Sequence, residues 1–150
     1  SIEIEVEIAP ENDPAAPGAT RQPLVRRNLE AVHGLGNIVQ NAIDFAAHKV
    51  IMRVRWSDDE IGIEVLDDGP GFAQGVLGAL GEPYVSTRAG EGSMGLGVFI
   101  AKTLLEHTGA RVYFGNRREG GARVVIVWPH AILAVEHPGR APDRPEAAQG

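Results

Sequence analysis

The chain contains no cysteine, which excludes disulfides, thiolate metal sites, a cysteine nucleophile and thiol redox sensing within it. It is also short of positive charge, with Lys+Arg 14 against Asp+Glu 20 and a net charge of −6. Nothing in such a balance displaces counterions from nucleic acid or holds a polybasic segment on an anionic membrane. No apolar run approaches the roughly 18 residues of a membrane helix, and no basic-then-apolar leader opens the chain. Glycine is the residue in excess, 19 of 150 against a usual share of about 7%, mostly in the second half. At 150 residues the chain is one domain long and buries roughly two-thirds of its unfolded surface, enough for a core without staples. Its first residues already alternate, so we expect a piece of a longer protein.

Ile2, Ile4, Val6 and Ile8 alternate with Glu3, Glu5 and Glu7, the period of a half-buried strand whose acidic side faces solvent. Prolines, glycine and Asn12-Asp13 make residues 9–23 a loop. From about 24 to 48 the period turns helical, with Val25, Leu29, Val32, Val39, Ile43 and Ala46 on one stripe. Two strands follow, one on Val50, Met52, Val54 and Trp56, the next on Ile61, Ile63 and Val65, joined by a Ser57-Asp58-Asp59-Glu60 turn. Residues 68–95 are glycine-rich, with one short helix near 73–80. The pattern predicts a second long helix over 97–107, closed by Gly109, then strands over 111–114 and 123–128. Past Pro129 periodicity stops, which predicts a domain over 1–129 and a flexible tail over 130–150. The order is α+β, and short turns between consecutive strands give a mixed or antiparallel sheet with the helices on one face.

Three stretches stand out chemically. Asn37 and Asn41 are four apart on the long helix and share an arc with His33, Asp44 and His48. Asparagine is a poor helix-interior residue. The arc reads either as a solvated face or as a polar stripe for a hard cation or phosphates. In Val65-Leu66-Asp67-Asp68-Gly69-Pro70-Gly71-Phe72, alternation turns Asp67 toward the core. An inward carboxyl is costly unless something hydrogen-bonds to it. A turn-capping contact would serve, as would a ligand amino group approaching over Gly69 and Gly71. Asp68 points the other way, as a turn residue. Gly90-Glu91-Gly92-Ser93-Met94-Gly95-Leu96-Gly97 runs into the second helix, and free amides there are a natural seat for phosphate. It is neither a Walker A loop nor a dinucleotide fingerprint.

Asn37-Ile38-Val39-Gln40-Asn41-Ala42, then Asp67-Asp68-Gly69-Pro70-Gly71, then Gly95-Leu96-Gly97 resemble the N, G1 and G2 boxes of the GHKL ATPases. That superfamily includes sensor histidine kinases, DNA gyrase, Hsp90 and MutL. The resemblance spans about residues 1–129 and implies the Bergerat fold, a two-layer α+β sandwich with a glycine-rich ATP lid. Gyrase, Hsp90 and MutL place a glutamate base four residues before the magnesium asparagine. Here that position is Asn37, an amide that cannot take a proton, which is the histidine-kinase pattern. Gly81-Glu82-Pro83-Tyr84-Val85-Ser86-Thr87-Arg88 together with 94–102 is most similar to the redox-responsive RegB/PrrB sensor kinases.

The resemblance implies a catalytic ATP-binding domain of a two-component sensor kinase, using ATP and Mg2+. Asn41, supported by Asn37, would hold Mg2+, and both would be the catalytic pair. Asp67 would accept from the adenine amino group, with Gly69 and Gly71 shaping the pocket. The amides around Met94 to Gly97 would cradle the phosphates, with Arg88 or Lys102 as countercharge, and Tyr84, Thr87, Arg88, Ser93, Met94, Gly95, Leu96 and Gly97 would all be cofactor-binding. Asp44 stands where many histidine kinases carry Lys or Arg, and Ser93 replaces a common glycine. No phosphoacceptor motif surrounds His33, His48, His107, His130 or His137. The expected partner is therefore a separate dimerisation and phosphoacceptor domain, with a response regulator downstream and no contact to nucleic acid or membrane. The fragment is expected to be a monomer in the cytoplasmic part of a membrane-bound parent. The alternatives are a gyrase- or MutL-type ATPase and a catalytically degenerate nucleotide-binding module.

Overall fold

The computed structural model describes residues 1–10, 24–25, 28–80 and 92–135. In chain order its elements are β1 (Glu3–Pro10), β2 (Leu24–Val25), α1 (Leu29–Phe45), β3 (Lys49–Trp56), β4 (Glu60–Asp67), α2 (Gln74–Leu80), α3 (Gly92–His107), β5 (Arg111–Asn116), β6 (Ala122–Pro129), α4 (His130–Leu133) and β7 (Ala134–Val135). Five strands form one sheet in the order β1-β3-β4-β6-β5. β1 and β3 are parallel and the other pairs antiparallel. β2 and β7 pair separately as an antiparallel ribbon. This is the mixed sheet of an α+β chain.

Local chemistry sets the register. The Ser57 hydroxyl accepts from the N–H groups of Asp59 and Glu60 at 3.1 and 3.2 Å, while the Ser57 N–H donates to the Glu60 carbonyl at 2.8 Å. That closed turn places Val54 opposite Ile63 and Met52 opposite Val65. Both strands therefore turn their apolar residues to one face, where Ile38 of α1 and Val98 and Leu105 of α3 complete a core with Val50, Val65, Ile126 and Trp128. The Trp128 indole N–H donates to the Thr108 hydroxyl at 2.8 Å, so the largest buried side chain leaves no polar atom unpaired. The opposite face carries charge instead of a second layer. Arg53 bridges Glu7 at 3.0 Å and Glu64 at 3.3 Å, and Arg123 also pairs with Glu64.

Away from the candidate site, the structure departs from expectation in three places. On β1 the acidic side is not the free face: Glu5 pairs with Lys49 at 2.7 Å, and Glu7 with Arg53 and Arg55. Its apolar side is the open one, with Ile4, Val6 and Ile8 about half exposed, because β1 is outermost and the described helices lie over β3, β4 and β5. Second, α1 starts at Leu29 rather than near 24, since the Asn28 side chain caps it by accepting from the Ala31 N–H at 2.9 Å. Its buried line is Gly34, Ile38 and Ala42. Val25 belongs to β2, while Leu29 and Val32 are exposed. Contact with α3 sets this rotation: a Cβ on Gly34 would lie 2.6 Å from Leu105 Cγ. Third, residues 130–135 are not tail. The His130 N–H donates to the Asp59 carbonyl at 2.8 Å, and Ile132 lies against Gly109. Residues 136–150 lie outside the described part.

Gly34→Ala should therefore destabilise the domain. Overpacking against a fully buried Leu105 costs about 1–3 kcal/mol, more than the ~1 kcal/mol gained in helix propensity. A thermal melt should fall by several degrees; an unchanged melt would mean that Leu105 yields.

Candidate functional site

β4 ends on Asp67, and the alternation through Ile63 and Val65 turns this residue to the helix-covered face. It is 4% exposed. Its Oδ1 accepts from the Gly69 N–H at 2.8 Å and from the Ala122 N–H at 3.3 Å. Oδ2 has no donor among the described residues. The turn-capping role is thus taken by one oxygen, and the other is left over.

The loop beyond Asp67 is fixed from two sides. On the α1 side, Asp68 Oδ1 accepts from the N–H groups of Ala47, His48 and Lys49 at 2.9, 2.9 and 3.1 Å. The His48 and Lys49 N–H groups, in that order, lead in holding the Asp68 carboxyl down at a pKa of about 2. A Cβ on Gly69 would stand 2.0 Å from the Phe45 carbonyl oxygen, so only glycine fits. On the other side, the Phe72 N–H donates to Asn116 Oδ1 at 2.8 Å, and Asn116 Nδ2 donates to the Phe72 carbonyl at 2.9 Å. Gly71, at φ +83°, packs against that amide, and Gly121, at φ +106°, packs on the Asp67 carbonyl. Arg117 donates to the same carbonyl at 2.8 Å.

Asn41 is half-buried and Asn37 exposed, one turn apart on α1. Neither amide has a hydrogen-bond partner among the described residues. The end of α1, one turn beyond Asn41, is fastened to the loop by Gly69 at Phe45 and, just past the helix, by Asp68 at residues 47–49. Asp67, Gly69 and Gly71 are thereby brought to the end of the helix that carries both asparagines. Asp44 accepts from Gln40 at 2.9 Å on the exposed helix surface.

The glycine stretch before the second helix is placed differently from expectation. α3 begins at Gly92, not Gly97, so Ser93, Met94, Gly95, Leu96 and Gly97 lie in its first turns. A glycine costs only about 1 kcal/mol in a helix, little against a helix held in the core by Val98, Ala101 and Leu105. The amides of 92–94 remain without intrahelical acceptors at the positive end of the dipole. Lys102 is not a free countercharge: it pairs with Glu106 at 2.9 Å, four residues on. Tyr84, Thr87 and Arg88 lie outside the described residues. Sequence reasoning missed Asn116, Arg117, Gly121 and Ala122. The Gly120-Gly121 pair was the one signal there, and it reads equally as a plain strand linker.

A family model described as "Histidine kinase-, DNA gyrase B-, and HSP90-like ATPase" matches residues 27–132. The chain belongs to this family. Sensor histidine kinase RegB of Cereibacter sphaeroides is 40% identical over 142 residues, 81% of this chain and 31% of RegB. The C4-dicarboxylate transport sensor protein DctB of Pseudomonas aeruginosa is 39% identical over 95 residues, 60% of this chain and 16% of DctB. The chain thus spans less than a third of the length of these curated relatives. Among solved structures, full-length ShkA in complex with AMPPNP has a TM-score of 0.64 at 23% identity, covering 90% of this chain and 26% of that one. The catalytic domain of histidine kinase ThkA has a TM-score of 0.59 at 19% identity, covering 84% and 80%. Both show the same fold.

This ATPase-family chain is an ATP-binding catalytic domain of the sensor-histidine-kinase kind. Its Asp68 clamp has a consequence for acid stability. A carboxyl whose folded pKa is lowered from 3.8 to about 2 contributes stability above the unfolded value, and that contribution is lost as pH falls through the folded one. Asp68→Asn should therefore melt below wild type at pH 6, with the gap closing between about pH 4 and 2. A gap independent of pH would remove the charge from this account.

Proposed function

We propose that the domain binds Mg-ATP and passes the γ-phosphoryl group to a histidine on a separate dimerisation and phosphoacceptor domain of its parent kinase. The observation that carries this reading is Asp67, buried, with Oδ1 satisfied and Oδ2 without a described donor. An adenine amino group supplies the missing donor, and a site built around an N–H rejects an analogue that lacks it. Gly69 and Gly71 shape the pocket by letting the loop close on Phe45 and Asn116 beside the carboxyl.

Asn41 and Asn37 offer neutral amide oxygens on one helix face, the hard donors that suit Mg2+. Among the described residues no cluster of His, Cys, Asp and Glu could hold a metal. That fits an ion carried mainly by substrate phosphates and water, with one or two protein ligands. When bound, Mg2+ neutralises charge on the phosphates. The free amides at the head of α3, those of Ser93 and Met94 among them, receive phosphate oxygens, with Gly95, Leu96 and Gly97 in the helix just behind them. Tyr84, Thr87 and Arg88 are assigned to the nucleotide by the resemblance alone.

In transfer, the bond between the γ-phosphorus and its bridging oxygen breaks to leave ADP, and a bond to an imidazole nitrogen of the acceptor forms. Asn37 cannot act as a general base, and an imidazole lone pair needs none, so water is a poor competitor. The pairing of Asp44 with Gln40 gives its carboxyl a place on the helix surface. Likeness to RegB supports a redox-responsive parent, this domain lying in its cytoplasmic part and acting on a response regulator through the acceptor domain.

Calorimetric titration with Mg-ATP should show binding by wild type and at least about tenfold weaker binding by Asp67→Asn. With labelled ATP, the acceptor domain of RegB should take up label, and this chain alone should not. Binding without transfer would favour a regulatory module. Appreciable unaided hydrolysis would favour a gyrase-type ATPase.

A further inference from the structure

The turn between β5 and β6 belongs to none of the three motif stretches, yet it meets the Asp67–Phe72 loop along its length. Asn116 pairs in both directions with the Phe72 backbone, Gly121 packs on the Asp67 carbonyl, and the Ala122 N–H reaches Asp67 Oδ1. Arg117 makes the contact that no ladder supplies. The β4–β6 pairing ends with Leu66 opposite Arg123, so the Asp67 carbonyl lies past the last pair. Arg117 Nη1 donates to it at 2.8 Å, from a side chain 18% exposed whose Nη2 lies 3.6 Å from Glu119. A guanidinium gives a charge-assisted bond from a planar, pre-organised fork.

We infer that Arg117 is a positioning residue for nucleotide selection. It fixes the peptide that follows Asp67 and, through that peptide, the direction of the carboxyl. The two bonds to Oδ1, from Gly69 and Ala122, both depend on where this peptide lies. With Oδ1 so held, Oδ2 is aimed. The inference rests on the reading of Asp67 as the adenine acceptor, and it adds that the aim is set from the β5–β6 turn.

The test is the ratio of two affinities on the full chain. Mg-ATP carries a 6-amino group, and Mg-ITP carries an oxygen there. Wild type should prefer ATP. Arg117→Met, which keeps the aliphatic stem, should lose about tenfold in ATP affinity with little change for ITP, so that the preference collapses. Arg117→Lys, with a single donor, should restore part of it. Equal losses for both nucleotides, or an unchanged ratio, would overturn the inference and leave Arg117 a purely structural role. Thermal melts accompany each variant. If Arg117→Met does not fold, the lysine variant decides alone, because the inference requires its ratio to lie measurably below wild type. A wild type that does not prefer ATP over ITP would instead sink the adenine reading of Asp67, whatever Arg117 does.

Discussion

A carboxyl taken out of water has to be given donors, and much of the architecture around the end of β4 answers that need at Asp67. Backbone supplies both bonds to Oδ1, one from its own turn and one from β6. Supplying them brings three chain segments closer than side chains allow. Glycine at 69 and at 121 follows from carbonyl oxygens about 2 Å from where a Cβ would stand. The glycine excess is therefore partly a packing requirement of one buried acid.

The two faces of the sheet are stabilised by different physics. Helices cover one, with apolar contact at Ile38, Val98 and Leu105. The other is a lattice of ion pairs running from Glu7 through Arg53 and Glu64 to Arg123. Partly exposed pairs of this kind are individually weak and screened by salt. They keep the charged strands in register while leaving the helix side to form the core and the site.

Much of this was legible in the sequence, and what was not has definite causes. Alternation located β3, β4 and β6, and the inward turn of Asp67 followed from parity alone. Motif order gave the family, which the match over residues 27–132 establishes. The stripe on α1 was displaced because Gly34, silent in any hydrophobicity count, is where α3 comes closest. β1 was misjudged because alternation reports two faces without telling which one a neighbour covers. Asn116 and Arg117 were invisible because their partners are backbone atoms more than forty residues away. The head of α3 was mistaken for loop because glycine is a weak helix breaker when the rest of the helix is anchored.

The contact between Gly34 and Leu105 sits beside the Glu30–His107 pair, at the far end of two antiparallel helices. Asn41 rides on one helix, and the amides at Gly92 head the other, some 13 residues from Leu105 or roughly 20 Å along the axis. The helices are thus joined like the blades of tweezers, riveted away from their tips. On the proposed reading a triphosphate lies between those two ends, and a small change of angle at the Gly34–Leu105 contact is magnified there. If the proposed site holds, its gauge is written into residues at the opposite end of both helices.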